Sequence, residues 1–299
     1  MGPTSWLACS AVQVPSFSEI RQMNFMISSL VHCLGVLLCC AGICANAENQ
    51  LTLNWTNNLL TISGPTLPGR KLEVWYLEAF CRKGSTHREW TKTVLPHKTQ
   101  LIAAESNHLF FHTTIEPEVT MIHEVRVGSN GIDFQFTFHN QGRQPVDLEW
   151  FQPACIRVDR FTGLNQSNYI SRSFIFTEHG LSTLNKTRRR QEGLYRGGQV
   201  YVPNGINLAD VNPRPICLDQ PVNGLIGCFS ADGKQLLATA SGSTHELFEG
   251  VYVCLHSDPH VGGLAPGETK EIRAKIYLME NDPQKLLICY RRDFPVEGH

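Results

Sequence analysis

Two neighbouring segments of this chain alternate strictly between apolar and polar residues, and this pattern constrains the fold more than any other feature. Within residues 119–127 the odd positions are apolar except His123, and within residues 132–138 apolar residues again occupy every second position. Between them, residues 129–131 read Ser-Asn-Gly, which is typical of the tight turn of a hairpin. The sequence therefore predicts two paired antiparallel strands that each bury one face.

The same period of two recurs along the chain, with almost no helical stripe. Residues 270–278, for example, place Ile272, Ala274 and Ile276 on one face and charged residues on the other. Such patterns predict an all-β fold, a large antiparallel β-sandwich formed by a single domain. Strands are predicted at 72–80, 108–115, 119–127, 132–138, 146–150, 154–160, 172–177, 235–240, 250–256, 270–279 and 286–291.

The first 47 residues have the features of a leader rather than of the folded domain. Arg21 precedes an apolar run at 27–43, and residues 45–47 read Ala-Asn-Ala, the pattern of a secretory signal peptide with its cleavage site. Met23 is the more usual start for such a leader. We therefore expect residues 1–47 to be removed, residues 48–299 to form the exported domain, and no membrane span to remain after removal.

Charge and cysteine content exclude several classes of protein. The chain has 26 basic and 27 acidic residues, a net charge of −1, so a nucleic-acid partner is not expected. Six of the 11 cysteines follow residue 47, and none of them forms a Cys-x-x-Cys pair. Disulfides are permitted in an exported chain, with Cys217 and Cys228 as the favoured pair, and buried free thiols are the alternative.

A long segment, about 178–215, interrupts the strand pattern. It contains three consecutive arginines at 188–190, several glycines and three prolines. A connection of this length in a compact domain is typical of a functional loop or a mobile segment. For the arginines, a solvated loop is favoured over an anion-binding role.

The sequence contains none of the common signatures for a serine hydrolase elbow, a zincin, a P-loop or a dinucleotide site. The main chemical candidate is His256-x-Asp258-x-His260, which follows a predicted strand. Alternate residues of an extended chain share a face, so these three side chains are candidate ligands of a divalent metal. Without a metal, Asp258 would orient a proton-transferring His256, and the alternative is an ordinary polar loop.

A second candidate lies on the strand predicted at 108–115. His108, Phe110 and His112 share one face there, which suits a sugar because an aromatic ring stacks on C–H groups and imidazoles bind hydroxyls. A mixed exposed edge is the alternative. His123 lies on an apolar face instead and is predicted to be a hydrogen-bonded core residue.

Further candidate sugar-binding residues are Trp150, Arg157, Asp159 and Trp75. Arg157 and Asp159 would share one face of a strand, where a bidentate guanidinium can bind hydroxyls or a carboxylate. The alternative for these two is a structural ion pair. Core packing explains Trp75 equally well.

With these features, the chain resembles the galactose mutarotase-like β-supersandwich group. The resemblance rests on the alternating segment 119–138, its continuation to Trp150, and the Gly-Gly-Leu-Ala-Pro-Gly-Glu turn that opens segment 262–279, and it covers about residues 50–290. It implies carbohydrate binding or chemistry in a groove of the concave sheet, with histidine and acidic residues. The His/His/Glu pattern of the epimerases has no position-by-position match here.

The favoured interpretation is an exported β-sandwich protein that recognises carbohydrate, with action on a sugar or polysaccharide as the enzymatic version of this interpretation. The catalytic candidates are His256, His108, His112 and Asp258. The other interpretation is a non-catalytic binding or assembly module of the envelope or extracellular space. Convergence of His108, His112, His256 and Arg157 on one groove would favour the first, and dispersal would favour the second.

Overall fold

Alternation of apolar and polar residues produces sixteen strands in the computed structural model, which describes residues 51–295. The strands are β1 Thr52–Thr56, β2 Leu59–Ser63, β3 Lys71–Cys81, β4 His97–Glu105, β5 His108–Ile115, β6 Val119–Gly128, β7 Gly131–Asn140, β8 Trp150–Arg157, β9 Ser173–Thr177, β10 Gly180–Thr183, β11 Gln199–Tyr201, β12 Ile226–Phe229, β13 Gln235–Ser241, β14 Thr244–Glu249, β15 Cys254–Pro259 and β16 Thr269–Glu280. The α-helices are α1 Trp90–Thr93, α2 Asp159–Thr162 and α3 Pro283–Asp293.

The strands form two antiparallel sheets. The seven-stranded sheet has the order β1-β2-β3-β8-β15-β14-β11, and the nine-stranded sheet has the order β10-β9-β12-β13-β16-β7-β6-β5-β4. The predicted all-β sandwich of two large antiparallel sheets is confirmed. The leader and its cleavage site lie outside the described residues.

The predicted hairpin is confirmed as β6 and β7, whose register runs from Val119 opposite Asn140 to Gly128 opposite Gly131. Gly131 adopts a positive φ of 146°, and a Cβ at this position would collide with the carbonyl oxygen of Ile276 on neighbouring β16. Only glycine fits this close backbone approach. The turn residue therefore also fixes how β16 packs beside the hairpin.

The core lies between the two sheets and is rich in aromatic rings. Phe136 and Phe138 project from β7 towards Phe80 and Phe151 of the seven-stranded sheet. Phe134 packs against Tyr76 of the same sheet. Each fully buried ring contributes about 1.5–3 kcal/mol by leaving water. We call the other side of the seven-stranded sheet, turned away from this core, its outer face.

Several predicted strands are corrected by the structure. Residues 286–291 belong to helix α3, because Pro283 begins the helix and the Asp282 side chain caps it by accepting from the backbone N–H groups of Gln284 and Lys285, each at 3.0 Å. A short apolar run fits a helix face as well as a strand.

Two further boundaries differ from the prediction. The strand predicted at 250–256 begins only at Cys254, because residues 250–253 form a turn in which Val253 has a φ of 55°. His256 and Asp258 therefore lie inside a buried strand rather than in a loop after it. The strands predicted at 146–150 and 154–160 are replaced by one strand, β8, which is followed directly by α2.

The long segment at 178–215 is ordered by its contacts. It contributes the short strands β10 and β11, and two of its arginines form ion pairs, Arg188 with Asp219 and Arg189 with Glu249. Further along, Asn212 N–H donates to Glu246 at 2.8 Å, which holds this part of the segment against the outer face. Within residues 51–295 no helix is long and apolar enough to cross a membrane.

Candidate functional site

Strand β15 presents Cys254, His256 and Asp258 on the outer face, because alternate residues of a strand point to the same side. All three side chains are almost fully buried. His256 Nε2 lies 3.4 Å from Cys254 Sγ, and His256 Nδ1 lies 3.7 Å from Asp258 Oδ1. A thiol, an imidazole and a carboxylate thus follow one another in a row, which we call the β15 row.

Neighbouring strands add polar groups to the β15 row. From β8, Gln152 donates to Asp258 Oδ2 at 3.0 Å, and the Cys155 thiol lies beside Cys254, with the Cys155, Cys254 and His256 donor atoms within 4.8 Å of one another. From β14, Glu246 stands opposite Asp258. Five ionisable or hydrogen-bonding groups therefore surround His256 in a part of the fold with almost no solvent.

Several atoms of this cluster lack a partner. Among the described residues, His256 Nδ1, Asp258 Oδ1 and Glu246 Oε1 are buried and make no hydrogen bond. Buried polar atoms are usually paired, and an unpaired one costs about 1–3 kcal/mol. Their concentration in one place is the pattern expected of a site that binds something polar.

Electrostatic coupling sets the charges of the β15 row. The hydrogen bond from the Cys155 thiol, together with His256, lowers the pKa of Cys254 well below its ordinary value. Burial opposes a charge on His256, but Cys254 and Asp258 outweigh it and raise the pKa of His256 well above its usual range. The row therefore favours a thiolate beside an imidazolium.

Burial also disfavours the charged form of the two carboxyl groups, which for an acid means a higher pKa. It raises the pKa of Asp258 and, with the repulsion of Asp258, also raises the pKa of Glu246. The pKa of Cys254 is thus lowered, whereas the pKa values of His256, Asp258 and Glu246 are raised. Strongly shifted pKa values are common where proton transfer occurs.

A cavity of about 270 Å³ opens onto the β15 row. Its walls include the aromatic side chains of Trp90, Tyr195 and Tyr252, and its floor includes Gln152 and His256. Tyr252 stands at the rim and is 66% exposed, and Arg157 fixes it by donating to its carbonyl at 2.7 Å. The Arg157 guanidinium also lies 5.4 Å above the Tyr252 ring.

A bulge in β3 brings one more acidic group to this cavity. The pairing with β8 shifts between Tyr76 and Ala79, where Leu77 adopts a φ of 57° and turns into the core. This irregularity places Glu78 at the cavity mouth. Surrounding protein raises the pKa of Glu78, although the side chain keeps contact with solvent.

The structure brings together only some of the residues predicted from the sequence. His256 and Asp258 share the outer face with Arg157, whereas His108 and His112 lie on β5 in the nine-stranded sheet and do not converge with them. His108 instead lies 3.3 Å from Glu124 of β6. By the convergence criterion, these two histidines favour the non-catalytic interpretation.

Three other residues predicted to bind sugar, Trp150, Trp75 and Asp159, do not line the cavity either. Trp150 is fully buried, stacked on His245 and hydrogen-bonded to Ser85 Oγ at 3.1 Å, which leaves no open ring face for a sugar. Trp75 is 41% exposed on β3 but does not line the cavity. Asp159 begins helix α2 and therefore does not continue the strand face of Arg157.

The metal trio predicted from the sequence does not form one group of ligands. His260 leaves His256 and Asp258 and binds Glu149 Oε1 at 2.9 Å. Within the described part of the chain, the two groups whose donor atoms come close enough to share a cation are Cys155, Cys254 and His256, and Glu149, His245 and His260. The six cysteines after residue 47, including Cys217 and Cys228, are free thiols.

Sequence reasoning missed several residues of this site. Cys254 was detectable, because it extends the alternation of His256 and Asp258 by one step. The other missed residues, Glu246, Gln152 and Glu78, come from other strands. No local sequence pattern predicts that these strands lie near β15.

Comparisons with known proteins add a resemblance in fold. No family model and no curated protein matches this chain. A galactose mutarotase-like protein from Lactobacillus casei ATCC 334 matches with 11% identity, a TM-score of 0.41 and coverage of 77% of this chain and 100% of that one. A galactose mutarotase-like protein from Clostridium acetobutylicum matches with 10% identity, a TM-score of 0.40 and coverage of 79% and 100%.

A protein from Synechocystis sp. PCC 6803 matches similarly, with 8% identity, a TM-score of 0.42 and coverage of 78% and 96%. The chain thus resembles galactose mutarotase-like proteins, as the sequence predicted. At TM-scores below 0.5 this resemblance assigns no activity and no residue role to the chain.

Proposed function

We propose that this protein recognises a carbohydrate in the cavity above the β15 row. The observation that carries the proposal is the combination of aromatic walls with a polar, incompletely paired floor. A sugar ring offers C–H groups that pack on aromatic faces and hydroxyls that satisfy buried polar atoms. Here Trp90, Tyr195 and Tyr252 supply the first kind of contact, and Gln152 and His256 supply the second.

The size of the cavity narrows the ligand. Its volume of about 270 Å³ is near the lower end of small-molecule sites, which usually measure about 300–1,000 Å³. A single sugar ring, free or at the end of a chain, suits this space better than an extended polysaccharide lying in a groove. The leader expected at residues 1–47 supports a sugar that is encountered outside the cytoplasm.

Proton transfer is the chemistry that this site would perform on a bound sugar. A protonated His256 at the floor can donate, and an ionised Glu78 at the mouth can accept, because the two groups line the same cavity. A non-catalytic binding module remains the alternative, since His108 and His112 do not join the site.

Thiol chemistry is a second candidate, favoured by the contact between Cys254 Sγ and His256 Nε2 at 3.4 Å. A thiolate held by an imidazolium is the usual arrangement of a reactive cysteine. In this case the Cys254 thiolate would attack the carbonyl carbon of a bound ester and form a thioester, while the C–O bond breaks and His256 protonates the departing alkoxide; water would then hydrolyse the thioester.

A glycan array followed by calorimetry tests the carbohydrate proposal. Tyr252→Ala should weaken binding of the selected sugar about 10-fold, because it removes one stacking surface. Trp75→Ala is the matched control, since Trp75 is an exposed aromatic residue outside the cavity. This variant should bind the selected sugar with the wild-type affinity. Absence of binding to every glycan, or equal losses in the two variants, would overturn the proposal.

Following the anomers and epimers of the bound sugar by NMR separates an enzyme from a binding module. Turnover that His256→Gln abolishes, with binding retained, supports proton transfer. Binding without turnover supports the non-catalytic alternative.

A further inference from the structure

Glu149, His245 and His260 form a second polar cluster, which we call the His-His-Glu cluster. Glu149 immediately precedes β8, His245 lies in β14 and His260 immediately follows β15. One donor atom from each residue lies within 4.8 Å of the other two. Three neighbouring strands of the seven-stranded sheet therefore bring two imidazoles and a carboxylate to one point.

Two atoms of this cluster accept no hydrogen bond from the described residues, which points to a cation. Among residues 51–295, His245 Nδ1 and Glu149 Oε2 are buried and accept no hydrogen bond, and their residues are 1% and 6% exposed. Both atoms are electron-pair donors. A bound cation would satisfy both, whereas an anion or an apolar group would satisfy neither.

The surroundings of His245 orient it as a ligand. Its Nε2 lies 3.2 Å from the Asp210 carbonyl oxygen, which can only accept, so Nε2 carries the proton and Nδ1 keeps its lone pair. The ring is held flat between Trp150 and His260, at centroid distances of 5.5 Å and 5.6 Å. A second hydrogen bond of this kind is the usual way in which proteins fix a metal-binding imidazole.

The cluster can be reached from solvent, and the positive charge near it can move away from an incoming cation. The His260 side chain is 36% exposed, so the cluster can be reached from solvent. His260 Nε2 binds Glu149 Oε1 at 2.9 Å, and Lys83 Nζ lies 3.6 Å from Glu149 Oε2. Lys83 is 60% exposed and can turn away when a cation takes its place.

We propose that the His-His-Glu cluster binds a divalent transition-metal ion, with zinc as the best match to two imidazoles and a carboxylate. The three side chains leave at least one coordination position for water or a ligand. The site is separate from the cavity above the β15 row, which none of the three residues lines. It also differs from the sequence-predicted trio, of which it keeps only His260.

The hydrogen bond from His245 to Asp210 connects the proposed metal site to the segment that contains Asp210. Asp210 belongs to the segment that lies over the outer face, and Gly84 N–H binds its carboxylate at 2.6 Å. A metal at His245 would therefore stabilise the attachment of this segment to the sheet.

Metal analysis of tag-free protein tests the proposal. After equilibration with Zn²⁺ and dialysis, wild-type protein should retain one zinc per chain, and Zn²⁺ should raise its melting temperature. His245→Ala and His260→Ala should each weaken zinc binding about 100-fold or more. His112→Ala is the matched control, because it removes a histidine of the other sheet, and it should bind zinc like the wild type.

Cobalt substitution separates this site from the thiol-containing group. Co²⁺ bound to the His-His-Glu cluster should give visible d–d bands without thiolate charge-transfer absorption, and Cys254→Ser should leave them unchanged. Glu149→Gln, which keeps the shape of the side chain, should weaken binding in a variant that folds normally. Lys83→Met should strengthen it, since a competing positive charge is removed.

Three results would overturn the inference. The first is that the wild type retains no zinc. The second is that the two histidine variants and Glu149→Gln retain zinc fully. The third is a thiolate charge-transfer band of the cobalt protein that disappears in Cys254→Ser. Each is distinguishable from a folding defect by the circular dichroism of the metal-free variants.

Discussion

Two buried histidines, His123 in the core and His256 on the outer face, have almost the same exposure but opposite surroundings. Both side chains are about 1% exposed. His123 has a hydroxyl at each nitrogen, with Tyr76 Oη 2.7 Å from Nδ1 and Thr113 Oγ1 2.9 Å from Nε2. His256 instead has a thiol at one nitrogen and no hydrogen-bond partner among the described residues at the other.

The partners decide what each ring can do. Hydroxyls satisfy a neutral imidazole, and burial lowers the pKa of His123 to about 3. Thiolate and carboxylate neighbours favour an imidazolium and raise the pKa of His256. Burial alone therefore does not distinguish a structural histidine from a functional one, whereas the charge and completeness of its hydrogen bonds do.

The largest expected effect concerns the structural member of this pair. His123→Ala should lower the free energy of unfolding by about 3 kcal/mol, because it leaves a void beside Phe111 and removes the partner of the buried Tyr76 hydroxyl. Urea denaturation at pH 7 measures this loss. Sugar binding should be retained under conditions in which the variant is folded, and a loss below about 1 kcal/mol would contradict the structural role.

The pH dependence of stability sharpens the same comparison. The folded-state pKa of His123 is about 3, below the value of about 6.5 for an unfolded chain, so the unfolded state binds more protons between these values. Stability should therefore fall as the pH drops below about 6.5, by about 2 kcal/mol at pH 5 from this group alone.

His123→Phe provides the control for this prediction. It cannot take up the proton, so its stability should fall less steeply between pH 6.5 and pH 5 than that of the wild type. His245, whose burial lowers its pKa to about 4, contributes in the same direction to both proteins and cancels in the difference. Equal slopes would show that His123 does not titrate as expected.

The core half of this comparison was predictable from the sequence. The position of His123 within the alternating segment 119–127 assigned it to the apolar face, and the structure confirms it as a hydrogen-bonded core residue. Hairpin β6–β7 and strand β16 follow from the same local signal. Such features depend on neighbours in sequence, which a period of two describes fully.

The site half was predictable only in part. His256 and Asp258 were identified by their spacing, and their coupling with Cys254 lies within β15, but Gln152, Cys155 and Glu246 join the site from β8 and β14 through pairings distant in sequence. Glu78 reaches the cavity by a bulge, and His260 turns to Glu149 instead of its neighbours on β15. Neither event has a local sequence signal.

Alkylation of Cys254 tests the charged state assigned to His256. At pH 6 the lowered pKa of Cys254 should keep more of this residue as thiolate than an ordinary cysteine has, and the lower nucleophilicity of such a thiolate offsets part of the gain in reactivity. Replacing both His256 and Cys155 by alanine removes the causes of this shift, so iodoacetamide should react several-fold more slowly.

Mass spectrometry of the modified peptides measures this rate, with the half-buried Cys289 of α3 as an internal reference. Each single replacement should have a smaller effect than the double replacement. An unchanged rate at Cys254 would mean that the β15 row does not hold a thiolate, and His256 would then resemble His123.

The smallest expected effect is at His108, the third kind of histidine in this protein. It lies partly exposed on β5 and faces Glu124 at 3.3 Å, a contact shared with the exposed Arg126. Partly exposed polar contacts of this type contribute about 0–1 kcal/mol, so His108→Ala should change the free energy of unfolding by less than about 1 kcal/mol. It should also leave sugar affinity and the alkylation rate of Cys254 unchanged, because β5 belongs to the other sheet. A loss of sugar binding in this variant would restore the face of β5 predicted from the sequence as the binding surface, and would remove the cavity above the β15 row from that role.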